Sequence, residues 1–136
     1  MGKTTDEKKK NLFLAIDFDG TIVKHDFPRI GSLMPGAKEA INALHGHGHK
    51  IIVWTVRNHT EGEFDREATI GGVQDFLDKH GIRYDTINEN HPDLDFHTES
   101  RKVYADIYID DRNLGGFPGW GKAFMQIMRY NRERKW

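Results

Sequence analysis

The residues NLFLAIDFDGT, at positions 11–21, indicate how the chain folds and where its polar groups gather. Residues 11–18 form a short apolar run, which is typical of a strand buried in a parallel sheet. The run contains Asp17, and Asp19 follows two positions later, although aspartate is a poor strand residue and neighbouring carboxylates repel each other. Because residues i and i+2 of an extended segment point the same way, both carboxylates can face one pocket. Gly20 then permits a backbone conformation or a close approach that other residues resist.

Apolar runs alternate with segments of helical periodicity along the rest of the chain. This alternation predicts an α/β fold, a three-layer α/β/α sandwich around a mainly parallel, Rossmann-like sheet. The polar segment 57–72 is interpreted as a loop that leads into the second helix, and it could act as a small lid with hinges at Gly62, Gly71 and Gly72. We predict strands at 11–18, 50–55, 82–88 and 103–111, and helices at 35–49, from Val73 to Gly81, and at 120–130.

Length, charge and composition exclude several classes of protein. The chain has 136 residues, which fit one domain at 11–136 behind a flexible tail at 1–10. The formal net charge of -1 argues against stable nucleic-acid binding. No cysteine is present, so thiolate nucleophiles, disulfides and cysteine-bound zinc are excluded. The sequence has no apolar signal region and no apolar stretch near the roughly 18 residues of a membrane span, so we expect a cytoplasmic protein without membrane contact.

Polar groups end three of the four predicted strands. Asp17 and Asp19 end the first, Thr55 the second, and Asp110 with Asp111 the fourth. Ligands of open α/β sheets bind beyond the carboxyl ends of the strands, so we expect these groups to converge. Such a carboxylate cluster needs cations, and a set of oxygen ligands suits Mg²⁺ better than a soft metal.

These strand ends resemble the motifs of the haloacid dehalogenase (HAD) superfamily of phosphohydrolases. DFDGT at 17–21 resembles the DxDGT nucleophile motif, and IIVWT ends in Thr55, at the place of the motif II threonine. IYIDD ends in Asp110 and Asp111, as the acidic motif IV does in its DD form. The motif III lysine is best matched by Lys102, although Arg101 is adjacent. The resemblance covers roughly residues 11–116.

The resemblance implies an enzyme, a phosphoric monoester hydrolase. Asp17 would attack phosphorus and form an aspartyl-phosphate, and Asp19 would protonate the leaving oxygen and then deprotonate water. Thr55 would donate a hydrogen bond to the phosphoryl oxygens, and Lys102 would balance charge. Four residues would hold Mg²⁺: Asp17, Asp19 through its backbone carbonyl, Asp110 and Asp111. Residues near the phosphate would complete substrate binding: Phe18, Gly20, Arg57 and Asn58.

The lengths of the intervals between the motifs indicate whether the chain carries a cap domain. The intervals 21–50 and 55–102 fit the core elements and leave no room for a separate cap domain. This resembles the capless class, whose open sites often act on larger molecules, so we expect a phosphorylated small molecule or macromolecule as substrate. The alternatives are a nucleotide or nucleic-acid-end phosphatase of the deoxyribonucleotidase type, and a non-catalytic phosphate-binding module.

Simpler interpretations accompany each motif. Asp17 and Asp19 could cap a turn or begin a calcium loop, although the glycine of DFDGTI falls one position too early for calcium. Arg57 and Arg112 could form structural ion pairs. HGHGH at 45–49 could bind a metal, but exposed histidines at a helix end are the simpler interpretation. The alternating Asp95, His97 and Glu99 are interpreted as a solvated loop.

Overall fold

The structure, a computed structural model, describes residues 11–59, 62 and 65–134. The predicted tail at 1–10 lies outside the described residues. Among the described helices, none is both long enough and apolar enough to cross a membrane. The elements in chain order are β1 (Phe13–Asp17), α1 (Ala37–Gly46), β2 (Lys50–Trp54), a 3₁₀ helix (Arg66–Ala68), α2 (Ile70–Lys79), β3 (Thr86–Ile87), β4 (Ile107–Ile109) and α3 (Trp120–Glu133).

The four strands form one parallel sheet in the order β3-β2-β1-β4. This confirms the predicted α/β class and the Rossmann-like parallel sheet. In the central strand β1, Ile16 lies opposite Val53 of β2 and Ile109 of β4. The strands are therefore aligned so that Asp17 and the residues that follow β2 and β4 share the carboxyl edge of the sheet.

The two faces of the sheet are covered differently. Leu14 and Ile16 belong to the larger core cluster, to which all three described α-helices contribute. Ala15 and Ile52 point to the other face, where the smaller cluster takes Val103 and Ala105 from the connection between β3 and β4. A right-handed crossover from β3 past β2 and β1 to β4 must run across that second face. The sequence predicts helices on both faces of the sheet. In the described residues, the α-helices cover one face, and the irregular connection between β3 and β4 covers the other.

Strands β3 and β4 are shorter than the sequence predicts, because a side chain takes part in the pairing where each begins. The backbone N–H of Asp85 donates to the Ile51 carbonyl, while its side chain accepts the Ile51 N–H, both at 2.8 Å. Asp106 makes the same exchange with Phe13, at 2.7 and 2.8 Å. An aspartate thus satisfies the neighbouring strand at both positions, and regular pairing starts only after it.

Helix α2 begins at Ile70, earlier than the predicted Val73. The side chain of Thr69 accepts a hydrogen bond from the Gly72 N–H at 3.4 Å and caps the helix. A Cβ atom on Gly72 would collide with the Arg66 carbonyl, so the glycine allows the 3₁₀ helix to pack closely. Gly71 and Gly72 therefore lie in a capped helix and not in the predicted hinge region.

Candidate functional site

Three carboxylates converge at the carboxyl edge of the sheet. Asp17 ends β1, and Asp110 and Asp111 follow β4, which pairs with β1. Each offers one oxygen atom, and these atoms all lie within 4.8 Å of one another. All three residues are partly buried. The pairing of β1 with β4 thus brings together three of the four residues that the sequence predicts as metal ligands, and their oxygen atoms are ligands of the kind that Mg²⁺ prefers.

Thr21 organises this acidic cluster from a fully buried position. Its hydroxyl lies 3.2 Å from Oδ2 of Asp17, to which it donates, and accepts the backbone N–H of Asp111 at 3.1 Å. From α3, the indole N–H of Trp120 donates to the Thr21 carbonyl at 2.7 Å. The sequence prediction did not include Thr21 among the site residues, although it is the last residue of the quoted DFDGT motif.

The backbone at Gly20 approaches the cluster more closely than a side chain would allow. Its φ of 92° lies in the region that favours glycine. A Cβ atom there would also collide with the carboxylate of Asp111 and the ring of His25. His25, which is half exposed, has its Nε2 2.9 Å from Oδ2 of Asp111. No sequence motif pointed to His25, because only the folded loop brings it to the aspartate.

The electrostatics of the cluster favour cation binding. Burial and the negative charges of Asp110 and Asp111 raise the pKa of Asp17 to about 8. Burial also works to raise the pKa of Asp111, but hydrogen bonds from His25 and Asp17 outweigh it and hold that pKa below its usual value. A carboxyl group whose neighbours oppose its ionisation gains strongly from a divalent cation beside it. The three carboxylates therefore fit a divalent cation, of which Mg²⁺ is one.

The Asp19 side chain takes a different direction and pairs with Arg57. Nε of Arg57 donates to Oδ2 of Asp19 at 2.9 Å, and Nη2 donates to Oδ1 at 2.7 Å. The guanidinium is completely buried, and it also donates to the backbone carbonyls of Pro28, Arg29 and Glu67. In this arrangement every N–H direction of Arg57 faces a protein acceptor, so the predicted contact with substrate has no donor free.

Thr55 lies at the same edge of the sheet, directly after β2. Its hydroxyl oxygen accepts the backbone N–H of Arg57 at 3.2 Å. The side chain of Asn88 holds the backbone of Thr55 on both sides: it accepts the Thr55 N–H and donates to its carbonyl, each at 2.8 Å. Asn88 has a positive φ of 57°, which is uncommon outside glycine. The sequence does not predict this support, because position 88 falls within the predicted strand 82–88, whereas the structure places Asn88 after β3.

The other predicted substrate-binding residues have structural contacts. Phe18 is fully buried, with its ring 5.5 Å from the guanidinium of Arg57. The side-chain amide of Asn58 donates to the Ala68 carbonyl at 3.4 Å, and the backbone carbonyl of Asn58 accepts the Ile70 N–H at 2.8 Å. Asn58 thus joins the segment after β2 to the start of α2.

Lys102 is exposed and lies over the ring of Tyr108, with Nζ 4.7 Å from the ring centroid. In the described part of the chain, it forms no ion pair with an acidic side chain. Tyr108 lies opposite Ala15, whose side chain points to the same face as that of Asp17. The motif III role of Lys102, or of its neighbour Arg101, stays a prediction.

The remaining polar clusters have contacts of their own. His49 is buried, and its Nδ1 accepts the Leu12 N–H at 3.0 Å. His45 lies 3.2 Å from Oδ1 of Asp85, an ion-pair distance. His97 and Glu99 are highly exposed and 3.6 Å apart. Each of these three histidines therefore has a protein partner. At the end of β4, the backbone N–H of Arg112 donates to the side chain of Asp110 at 2.9 Å.

The fold and the site together define a parallel α/β protein with an acidic cluster at the carboxyl edge of its sheet. A solved structure, described as a conserved protein coded by a locus from Bacteroides thetaiotaomicron, is similar with a TM-score of 0.72 and 33% sequence identity. The similarity covers 93% of this chain and 100% of the other. The chain therefore belongs to the same family as that conserved protein. No protein-family model matches the chain, and no curated protein does.

Proposed function

We propose that the protein is a Mg²⁺-dependent phosphatase of the HAD superfamily, which hydrolyses phosphomonoesters through an aspartyl-phosphate on Asp17. The observation that carries this proposal is the convergence of Asp17, Asp110 and Asp111. These are the residues that the resemblance assigns to the nucleophile and to the metal. They come from chain segments more than ninety residues apart, so their convergence is a property of the fold and not of local sequence.

Asp17 is the nucleophile in this proposal. One of its oxygens would form a bond to phosphorus while the bond from phosphorus to the leaving oxygen breaks, and water would then release phosphate from the aspartyl ester. The hydrogen bond from Thr21 holds Oδ2, so the side chain has a fixed orientation for attack. Asp17, Asp110, Asp111 and the backbone carbonyl of Asp19 would hold Mg²⁺. When bound, the cation supplies positive charge that allows a carboxylate to approach an anionic phosphate.

Asp19 and Thr55 assist the two displacements. Asp19 would give a proton to the leaving oxygen and then take one from the attacking water, a role that typically contributes about 10²–10⁴-fold. Thr55 would donate its hydroxyl proton to a phosphoryl oxygen, since its oxygen is already positioned by the Arg57 N–H. Lys102 would balance charge near the phosphate. These roles are those that the resemblance assigns.

The proposed substrate is a phosphorylated small molecule or a phosphorylated macromolecule. In the described residues, no helix lies between β1 and α1, and the only one between β2 and α2 is the 3₁₀ helix at Arg66–Ala68. This supports an open site of the capless type.

Phosphate release from p-nitrophenyl phosphate tests the function. We expect turnover that needs Mg²⁺ and falls by at least about 10²-fold in Asp17→Asn and Asp19→Asn. The matched control is Asp75→Asn, which removes an exposed carboxylate on α2 and should leave turnover unchanged. Undiminished turnover in Asp17→Asn, or equal turnover in EDTA, would overturn the proposal.

A further inference from the structure

The structure assigns to Arg57 the role of a positioning residue that fixes the orientation of the Asp19 side chain, the acid and base of the proposed reaction. This inference rests on the proposed function. It replaces the contact with substrate that the sequence predicts for Arg57, because the guanidinium is completely buried and its donors face protein oxygens. Arg57 therefore acts on the reaction through Asp19.

The ion pair fixes the direction of the Asp19 carboxylate. Two parallel hydrogen bonds, from Nε to Oδ2 and from Nη2 to Oδ1, define the carboxylate plane as well as its position. The Asp19 side chain is only 13% exposed, so water competes little for these oxygens. A single donor would leave the carboxylate free to rotate. The bidentate geometry is thus suited to setting an orientation.

Arg57 is itself held by contacts on every side. Its remaining N–H groups donate to the carbonyls of Pro28 and Arg29, both at 2.9 Å, and to that of Glu67. Two aromatic rings, Phe18 and Phe27, lie 5.5 and 4.9 Å from the guanidinium carbon. These acceptors belong to the segment after β1 and to the 3₁₀ helix. Both loops beside the site are therefore joined to the residue that orients Asp19.

Lysine cannot reproduce this arrangement. Its ammonium group keeps the positive charge but lacks the planar fork that contacts both oxygens of a carboxylate. Arg57→Lys therefore preserves charge in the buried site while it releases the orientation of Asp19. A change in rate in Arg57→Lys therefore reports the lost orientation of Asp19 and not a lost positive charge.

The dependence of the rate on the leaving group tests the role. Phenolate leaves less readily than p-nitrophenolate, so hydrolysis of phenyl phosphate needs proton donation more. We expect Arg57→Lys to lower kcat/KM for phenyl phosphate about 10-fold more than kcat/KM for p-nitrophenyl phosphate, because kcat/KM reports the step in which the leaving oxygen departs. In the Asp19→Asn background, Arg57→Lys should add no further selectivity between the two substrates. The matched control is Arg129→Lys on α3, which should change neither rate.

Three outcomes distinguish the possibilities. Equal losses of kcat/KM on both substrates would mean that Arg57 does not act through proton donation by Asp19, and would overturn the inference while leaving the function intact. A wild-type protein that hydrolyses neither substrate would overturn both. If Arg57→Lys does not fold, the side-chain NMR signals of wild-type Arg57 decide: slow guanidinium rotation that is lost in Asp19→Asn supports the pair, and fast rotation in the wild type overturns it.

Discussion

At the scale of single residues, Thr21 matters more than its place in the sequence suggests. One hydroxyl group donates to the nucleophile of the proposed reaction and accepts the backbone N–H of Asp111. It therefore fixes the spacing between β1 and the residues after β4. A threonine that follows a glycine has no sequence signal for a role in a site. The role of Thr21 could therefore not be predicted.

Thr21→Val should weaken the site with little change in shape. Valine has the same branched form but leaves the Asp111 N–H unpaired, at an expected cost of about 1–3 kcal/mol in the free energy of unfolding. Without the hydroxyl, Asp17 loses its orientation, so we also expect weaker Mg²⁺ binding by calorimetry. Thr21→Ser keeps the hydroxyl and should retain binding. Equal Mg²⁺ affinity in the valine variant and the wild type would contradict this account.

The raised pKa of Asp17 makes a prediction for the metal-free protein. Its pKa is about 8 in the fold, above the usual 3.8, because burial and two nearby carboxylates oppose its ionisation. The folded state therefore binds this proton more tightly than the unfolded state, and stability falls as pH rises from about 4 to about 8.

Urea unfolding in EDTA checks the sign. Asp17→Asn has no proton to lose, so it should be more stable than the wild type at pH 8, and the difference should shrink at pH 5. A wild type that gains stability relative to Asp17→Asn between pH 5 and pH 8 would show that the cluster does not oppose the ionisation of Asp17.

At the scale of secondary structure, the sequence predicts the bounds of those strands that are continuous apolar runs. Strands β1 and β2 fall within two residues of their predicted bounds, because both are continuous buried runs. The lengths of β3 and β4 could not be predicted in this way. Their starts depend on aspartate side chains that bond to the neighbouring strand, and such pairing leaves no local pattern.

The same limit applies to the candidate site. Asp17, Thr55 and Asp110 could be predicted as site residues because each lies at the end of an apolar run, where a polar residue is easily recognised. Thr21, His25 and Asn88 act through contacts across loops, which only the fold creates. The start of α2 was missed for a related reason: Gly71 and Gly72 disfavour a helix locally, but the Thr69 cap and the close approach of Arg66 stabilise it there.

Helix α1 and strand β1 are joined by a buried histidine with a predictable response to acid. Nδ1 of His49, three residues after α1, accepts the Leu12 N–H just before β1. Burial, followed by the positive groups His47, Arg134 and Lys50, lowers the pKa of His49 to about 4. The folded state therefore binds this proton less tightly than the unfolded state does. Its stability contribution is present above about pH 6.5 and is lost as pH falls through 4.

His49→Asn tests this acid response, since the asparagine carbonyl can accept a backbone N–H without titrating. We expect thermal unfolding of the wild type to shift downward between pH 7 and pH 4.5, and the shift to be smaller in His49→Asn. The exposed His97→Asn variant should behave as the wild type does. Identical shifts in wild type and His49→Asn would show that another group controls acid unfolding.

At the scale of the whole molecule, the acidic cluster depends on the complete sheet. Asp17 lies in the first strand, whereas Asp110 and Asp111 follow the last, and the pairing of β1 with β4 is what joins them. The unfolded chain has no such site, because the ligands are far apart along it. Mg²⁺ binding and global folding are therefore thermodynamically linked, and a cation that binds only the native state stabilises it by about 2.7 kcal/mol at a hundred times its Kd.

This linkage predicts that Mg²⁺ raises the urea midpoint of the wild type, and that the shift grows with the logarithm of the Mg²⁺ concentration. Asp110→Asn removes one ligand and one negative charge, so it should be at least as stable as the wild type in EDTA yet respond much less to Mg²⁺. Asp75→Asn, on the exposed surface of α2, should keep the full response. Equal midpoint shifts in Asp110→Asn and the wild type would mean that the cation binds elsewhere. The carboxylates of Asp17, Asp110 and Asp111 would then not bind the cation, because the loss of a ligand from the site should reduce the Mg²⁺-dependent shift of the midpoint.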